Sequence, residues 1–296
     1  MDRNLQLAND AFKEQKWAQA AQLYEREYQT DPSEKVNHLL VKSLYEAHQY
    51  QVAHMVMMDN LNSYLMDDQH VILMVQILLA NHQLLMAHVL TATVERLPQA
   101  IGQLIQQAET DARQKPDFNR EYQAFYQLSA LTLAQQQRVF EKGKQLPLNE
   151  WLTATKALLT DPFVKPIIRV SLLELVQKLK VAESFEFRWL DDKNYQITGN
   201  RLKSLAEFEK VGILESMLQD LMGNKDPMTQ QLYQNELGLQ MTLLYPFIDR
   251  AIPDPMTWVA RLVRGDEVQS AALPAMYSVE WWQRKLSRIM SEMTGA

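Results

Sequence analysis

The sequence predicts an all-α protein, a solenoid of stacked helix pairs with one small β-hairpin inserted in its C-terminal half. Small residues recur at Ala20, Ala53 and Ala87, which are 33 and 34 residues apart, and apolar residues keep a helical spacing almost throughout. Glycine is scarce, with 8 in 296 residues, which disfavours a β-sandwich. A fixed period of this length indicates stacked units, because a lone helix pair cannot bury its own apolar face.

The positions around each alanine are matched as well. Apolar residues stand thirteen positions before each one, at Leu7, Leu40 and Met74. The second helix of each pair begins three positions before it, at Trp17, Tyr50 and Leu84. This register predicts helices over residues 3–15 and 17–30, 34–47 and 50–63, and 68–81 and 84–97, with Pro32 ending the first pair and Pro98 closing the third.

The first pair resembles one tetratricopeptide repeat (TPR), because Ala8, Ala11, Trp17, Ala20, Tyr24 and Pro32 stand at the spacing of that family. The resemblance covers the N-terminal third and implies a right-handed α-α superhelix. The other two pairs depart from the family where it has small residues, at Val41, Asn60 and Val75. We therefore expect three degenerate TPR units over residues 1–98, with helices packed at altered angles.

Residues 99–180 are predicted to continue as helix pairs without the repeat signature. Lys115-Pro116-Asp117 divides one helix from a long second helix over about 118–142. Further helices are predicted over residues 148–160 and 166–180. The joint between them, Asp161 to Lys165, is similar to one in uncharacterised bacterial TPR proteins, and the remainder of the chain resembles their helical extension.

The apolar period changes from helical to alternating in residues 181–202. Phe185, Phe187 and Trp189 alternate with polar residues, and Tyr195 and Ile197 do so again after a polar loop over 191–194. This pattern predicts a β-hairpin. Its aromatic face either covers neighbouring helices or forms an exposed platform for a peptide or a single strand.

Residues 203–296 are predicted to form a C-terminal helical region. Two helices over 203–245 are divided near Gly223, a helix near 256–264 is followed by a loop through Pro274, and the last helix runs from Ser278 to Met293. Trp282, Leu286, Ile289, Met290 and Met293 form one apolar stripe on that helix. The stripe favours a capping helix that seals the solenoid, with a membrane-surface helix as the alternative.

Composition and motifs argue against catalysis. The chain has no cysteine, its six histidines all lie between His38 and His88, and no phosphate-binding glycine loop, nucleophile elbow or zinc motif is present. The net charge of −6 disfavours nucleic acid, and the longest apolar run, Val71–Ala80, is too short for a membrane span. We expect no enzyme, no metal and no cofactor, although a pair of carboxylates distant in sequence remains an alternative.

The TPR resemblance implies that the first helix of each pair lines a concave groove. The residues at the groove positions are Leu5, Asn9, Phe12, Lys13, Lys35, His38, Lys42, Tyr45, Glu46, Gln69, Ile72 and Gln76. They combine apolar and aromatic side chains with lysines and amides, a composition suited to binding a peptide. A carboxylate clamp of the kind found in some family members is not expected, because Leu5, Ile72 and Gln76 replace clamp residues.

The sequence thus predicts a cytoplasmic, non-catalytic scaffold that binds a peptide or a helix of another protein, with Phe12 and Tyr45 as anchors. The alternative is a helical regulator that binds a small ligand between helices of its C-terminal half. Self-association is also left open, because Met55, Met57 and Met58 supply an adaptable apolar surface.

Overall fold

A computed structural model describes residues 3–94, 96–223, 227–264 and 274–294. Within these ranges the chain forms seventeen α-helices and one two-stranded antiparallel sheet, which confirms a mainly helical fold with a single hairpin. The predicted loop through Pro274 lies largely outside the described residues. No helix in the described ranges is long and apolar enough to cross a membrane.

The chain divides into two compact units. Unit 1 comprises residues 1–125 and 141–152, and unit 2 comprises residues 126–140 and 153–296. The chain crosses between the two units three times, each time within a helix. These helices are α9 (Phe118–Tyr126), α10 (Leu133–Gly143) and α11 (Leu148–Thr160).

Unit 1 begins with helices that pack in sequence order. They are α1 (Arg3–Lys13), α2 (Trp17–Thr30), α3 (Glu34–Glu46), α4 (Tyr50–Asp59), α5 (Leu61–Tyr64), α6 (Asp68–Ala80), α7 (Leu84–Thr91) and α8 (Gln99–Arg113). Their core contains the repeat alanines Ala20, Ala53 and Ala87, all fully buried, together with Tyr24 and Tyr64.

The same backbone turn ends the first helix of each of three successive pairs. Gln15, His48 and His82 have φ values of 57°, 60° and 58°. The N–H of the next residue then donates to a carbonyl five residues earlier, as in the Schellman motif. The left-handed residues are 33 and 34 positions apart, so the backbone repeats with the spacing of the alanines.

Two predicted helices of unit 1 are shorter than expected. The helix predicted over 50–63 breaks at Asn60, whose side-chain amide donates to the hydroxyl of Tyr28, 2.9 Å away. The helix predicted over 84–97 ends at Thr91, because the hydroxyls of Thr91 and Thr93 bond to carbonyls of the preceding turn.

The long helix predicted over 118–142 is wrong, because the chain leaves the helical path at residues 127–132. The side chain of Gln136 is fully buried in unit 2, where its amide donates to the carbonyls of Leu131 and Phe163 at 3.1 and 3.2 Å. Its oxygen accepts from the N–H of Lys165 at 3.0 Å. Gln136 is therefore a buried side chain that connects the backbone at Leu131, Phe163 and Lys165.

The other elements of unit 2 are α12 (Pro166–Lys178), β1 (Ser184–Arg188), β2 (Asn194–Thr198), α13 (Glu209–Met222), α14 (Pro227–Leu244), α15 (Ile248–Ala251), α16 (Pro255–Arg264) and α17 (Val279–Thr294). The strands pair with Ser184 opposite Thr198 and Arg188 opposite Asn194. Five residues therefore connect the strands instead of the predicted four.

The aromatic face of the hairpin is part of the core of unit 2. Phe185, Phe187 and Trp189 are each 1% exposed, and the ring of Trp189 lies 4.6 Å from that of Trp282 and 5.1 Å from that of Phe247. The interpretation that this face covers neighbouring helices agrees with the structure, whereas an exposed aromatic platform does not.

The last helix, α17, presents its predicted stripe to the core, since Trp282 and Leu286 are fully buried and Ile289 is 8% exposed. The hydroxyl of Ser278 accepts a hydrogen bond from the N–H of Trp281 at 3.2 Å, as expected for a residue that caps the helix.

Candidate partner-binding groove

Unit 1 contains a hollow of about 500 Å³ that is lined from helices α1, α3 and α6. Six of the twelve predicted groove residues line it, namely Phe12, His38, Lys42, Gln69, Ile72 and Gln76. We call this feature the groove hollow. The spacing of four or seven residues within α3 and α6 places these side chains on one face of each helix.

The other six predicted residues lie on α1 and α3 but do not line the groove hollow. They are Leu5, Asn9, Lys13, Lys35, Tyr45 and Glu46. None of the twelve predicted side chains is fully buried. The amide oxygen of Asn9 accepts a hydrogen bond from the hydroxyl of Tyr24 at 2.8 Å, so this clamp candidate is used within the fold.

The apolar part of the groove hollow is formed by Phe12, Leu39, Ile72 and Leu73. The ring of Phe12 is fixed edge-on against Trp17, with ring centroids 5.2 Å apart. Because this ring is held by its neighbours and stays partly exposed, it offers contact area to a partner at little entropic cost.

The polar rim contains one ammonium group, on Lys42. Its Nζ lies 2.6 Å from a carboxylate oxygen of Glu46 and 5.7 Å from the ring centroid of Tyr45. Tyr45 and Glu46 thus orient this lysine instead of lining the hollow. The amides of Gln69 and Gln76 complete the rim with donors and acceptors that suit a peptide backbone.

Two stacked histidines form one side of the groove hollow. The ring centroids of His38 and His70 are 3.7 Å apart, and the rings are inclined by 36°. His70 Nδ1 contacts the carboxylate of Asp67, whose other oxygen accepts from the N–H groups of Gln69 and His70 at 2.9 and 3.0 Å. This bonding makes Asp67 the N-cap of α6.

The electrostatics of this pair favour a neutral His38. Burial lowers the pKa of His38, and the neighbouring His70 lowers it further, while the charges of Asp67 and Glu34 act in the opposite direction. Partial burial acts to raise the pKa of Asp67, but its hydrogen bonds from His70 and Gln69 outweigh this and lower it.

The pair of His38 and Ser63 has the separation of a base and a nucleophile, since Nε2 and Oγ are 2.7 Å apart. The Ser63 hydroxyl, however, donates its hydrogen to the carbonyl of Asn60 at 2.7 Å. His38 therefore donates from Nε2, and this arrangement positions the imidazole instead of activating the serine. Within the described ranges no group of three His, Asp or Glu side chains is placed to hold a metal ion.

Leu39, His70 and Leu73 line the groove hollow although sequence reasoning did not select them. Each is adjacent in sequence to a predicted residue, at His38, Gln69 or Ile72. Leu73 is 6% exposed and forms floor, not rim. One feature of the sequence could have identified His70. It stands three residues after Asp67, and a side chain at that position of a helix can bond to the N-cap residue.

No family model, curated protein or solved structure matches this chain in comparisons of its sequence and fold.

Proposed function

We propose that this chain is a non-catalytic scaffold whose groove hollow binds a peptide or a helix of another protein in the cytoplasm. In this proposal, the helix pairs of unit 1 are TPR-like and stack as a right-handed superhelix, with the first helix of each pair facing the partner. The observation that carries the proposal is the joint lining of one hollow by six of the predicted groove residues.

The chemistry of the groove hollow fits an apolar anchor flanked by peptide groups. Phe12, Leu39 and Ile72 offer apolar contact to one large side chain of the partner. Gln69 and Gln76 bond to the backbone on either side of that anchor, since an amide both donates and accepts. Lys42 is paired with Glu46, so it supplies orientation more than net charge.

The bound segment is internal to the partner instead of its C-terminus. A C-terminal carboxylate needs free cations or several convergent donors. Here Lys42 is paired with Glu46 and Asn9 accepts from Tyr24, while Leu5 and Ile72 offer no polar group. This expectation separates the groove hollow from the carboxylate clamps of the family.

The test is a selection from a random peptide display library on the full chain, followed by measurement of Kd for the selected peptides. Phe12→Ala and Ile72→Glu are each expected to weaken binding at least about tenfold, as truncation of a central anchor commonly does. Tyr45→Ala is expected to weaken binding less, because Tyr45 does not line the hollow.

Met55→Glu is the matched control. Met55 is 61% exposed on α4, the second helix of its pair, and does not line the groove hollow. If the selected peptides bind Phe12→Ala and Ile72→Glu as tightly as they bind Met55→Glu, the assignment of the groove hollow as the binding site is contradicted. Thermal melts of each variant separate loss of binding from loss of folding, since Phe12 also packs on Trp17.

A further inference from the structure

Unit 2 contains a second hollow, of about 820 Å³, lined from helices α13 and α14 and from the 3₁₀ turn over Leu205–Glu207. This volume lies in the range of small-molecule sites in proteins, about 300 to 1,000 Å³. Its floor consists of three apolar side chains. Leu218 is fully buried, and Leu237 and Met241 are each 2% exposed. We call it the α13–α14 hollow.

Two glycines in helix interiors line this hollow. A Cβ added at Gly212 or Gly238 would meet no atom within 4 Å. Neither glycine has a positive φ, so neither the backbone conformation nor close packing requires glycine there. Glycine in a helix interior is unfavourable relative to alanine. Here it leaves room for an occupant and opens the helix backbone to it.

The α13–α14 hollow has few polar side chains, and its only charge among the described lining residues is negative. Glu215 is the single ionisable residue among the described lining residues, and Gln219, Gln234 and Thr242 supply neutral groups. The Thr242 hydroxyl donates to the carbonyl of Gly238 at 2.9 Å, so it presents lone pairs.

The positively charged residue of α13 nearest to Glu215 in sequence is Lys210, and its ammonium group bonds to carbonyls outside the hollow. Lys210 donates from Nζ to the carbonyls of Asp249 and Ile252 at 3.1 and 2.6 Å and does not line the hollow. A carboxylate without a cation among its lining neighbours selects for a positively charged ligand and against an anionic one.

We propose that the α13–α14 hollow binds a small amphiphile with an aliphatic body and a positively charged amine. The aliphatic body lies on Leu205 and Val211, the partly exposed apolar residues of the lining, and passes close to the backbone at Gly212 and Gly238. The amine bonds to the carboxylate of Glu215 and to neighbouring amide oxygens. This site is independent of the groove hollow, since all its residues belong to unit 2.

The test compares two probes of equal chain length, decylamine and decanoate, by titration calorimetry on the full chain at concentrations below micelle formation. Decylamine is expected to bind once per chain and at least about tenfold more tightly than decanoate. Glu215→Gln is expected to weaken decylamine by roughly the same factor and to strengthen decanoate, because the repulsion between two carboxylates is removed.

Two variants fill the hollow from different helices. Gly212→Leu and Gly238→Leu direct a side chain into the open space at their Cβ positions, and each is expected to abolish decylamine binding. Gly102→Leu is the matched control, because Gly102 lies in α8 of unit 1, also has nothing within 4 Å of its Cβ position, and does not line this hollow. Circular dichroism checks that each variant is folded.

The proposal is overturned if decylamine does not bind or if decanoate binds as tightly. It is also overturned if both filling variants bind decylamine like the control, because binding would then occur elsewhere. A result of this kind leaves the groove hollow unaffected, so the two proposals fail separately.

Discussion

Replacing Asn37 with leucine removes the centre of a buried hydrogen-bond network in unit 1. The Asn37 side chain is fully buried, and its Nδ2 donates to the hydroxyl of Tyr28 at 3.1 Å and to the carbonyl of Val56 at 2.8 Å. Its Oδ1 accepts from the hydroxyl of Tyr64 at 2.7 Å. The network therefore ties α2, α3, α4 and α5 together beside the groove hollow.

The magnitude follows from which groups lose their partners. In Asn37→Leu, the Tyr28 hydroxyl keeps its bond from Asn60, but the Val56 carbonyl and the Tyr64 hydroxyl lose theirs. An unpaired buried polar group costs about 1–3 kcal/mol, so we expect the free energy of unfolding to fall by about 3–4 kcal/mol.

The assay is urea unfolding followed by circular dichroism, with Tyr64→Phe and the double variant completing a cycle. Tyr64→Phe is expected to cost about 2 kcal/mol, and the double variant about 1–2 kcal/mol less than the sum, because the orphaned hydroxyl is then absent. Asn62→Ala, at an exposed position of α5, is the control and is expected to stay within about 0.5 kcal/mol. A cost for Asn37→Leu below about 1 kcal/mol, or strict additivity, would refute the reasoning.

Three further predictions concern packing, a buried connector and pH. Gly143→Ala would place a Cβ 2.3 Å from the ring of Phe125, so the free energy of unfolding should fall by about 1–3 kcal/mol. Gly102→Ala adds a Cβ in open space, so the free energy of unfolding should rise by up to about 1 kcal/mol. Equal shifts in the melting temperatures of the two variants would contradict this contrast. Gln136→Leu leaves the N–H of Lys165 without its partner and should cost about 2–4 kcal/mol in urea unfolding; a neutral result would mean that water replaces the amide. Burial and a neighbouring histidine lower the pKa of His38, so the unfolded chain takes up that proton first and stability should fall as the pH drops below about 6.5. His38→Gln should flatten part of this fall, and an unchanged pH profile of the melting temperature would count against it.

The first helix pairs of unit 1 could be predicted from the sequence, because their local start and stop signals recur at one period. Trp17 marks the observed start of α2, and the buried alanines follow the spacing of the left-handed turn residues Gln15, His48 and His82. These features depend on contacts within one helix pair or between neighbouring pairs, so a fixed period in the sequence reports them.

Two of the helix breaks that sequence reasoning missed involve contacts between residues distant in the chain. The break at Asn60 depends on Tyr28, 32 residues earlier, and the break before α10 depends on bonds from Gln136 to residues 27 and 29 positions later. Local signals act at both of these breaks as well, because Asn60, Asn62 and Ser63 are weak helix formers. Before α10, the side-chain oxygen of Gln135 accepts from the N–H and hydroxyl of Thr132 at 3.0 and 2.9 Å, a pairing typical of a helix start.

The sequence predicted six of the residues that line the groove hollow, but it did not predict which neighbours complete the lining. The TPR resemblance implied groove positions for Phe12, His38 and Ile72, and all three line the groove hollow. Tyr45 lies outside the groove hollow, with its ring centroid 5.7 Å from Lys42 Nζ, and the role of His70 depends on the contact of its ring with that of His38.

The most direct test of the proposed function is site-specific photo-crosslinking of the full chain in its source cells. A benzophenone side chain at Gln69, an exposed residue on the rim of the groove hollow, is expected to capture a discrete partner that Phe12→Ala removes. The same group at Met55 is expected to capture none. Equal capture from both positions, or capture that survives Phe12→Ala, would contradict the assignment of the groove hollow as the binding site.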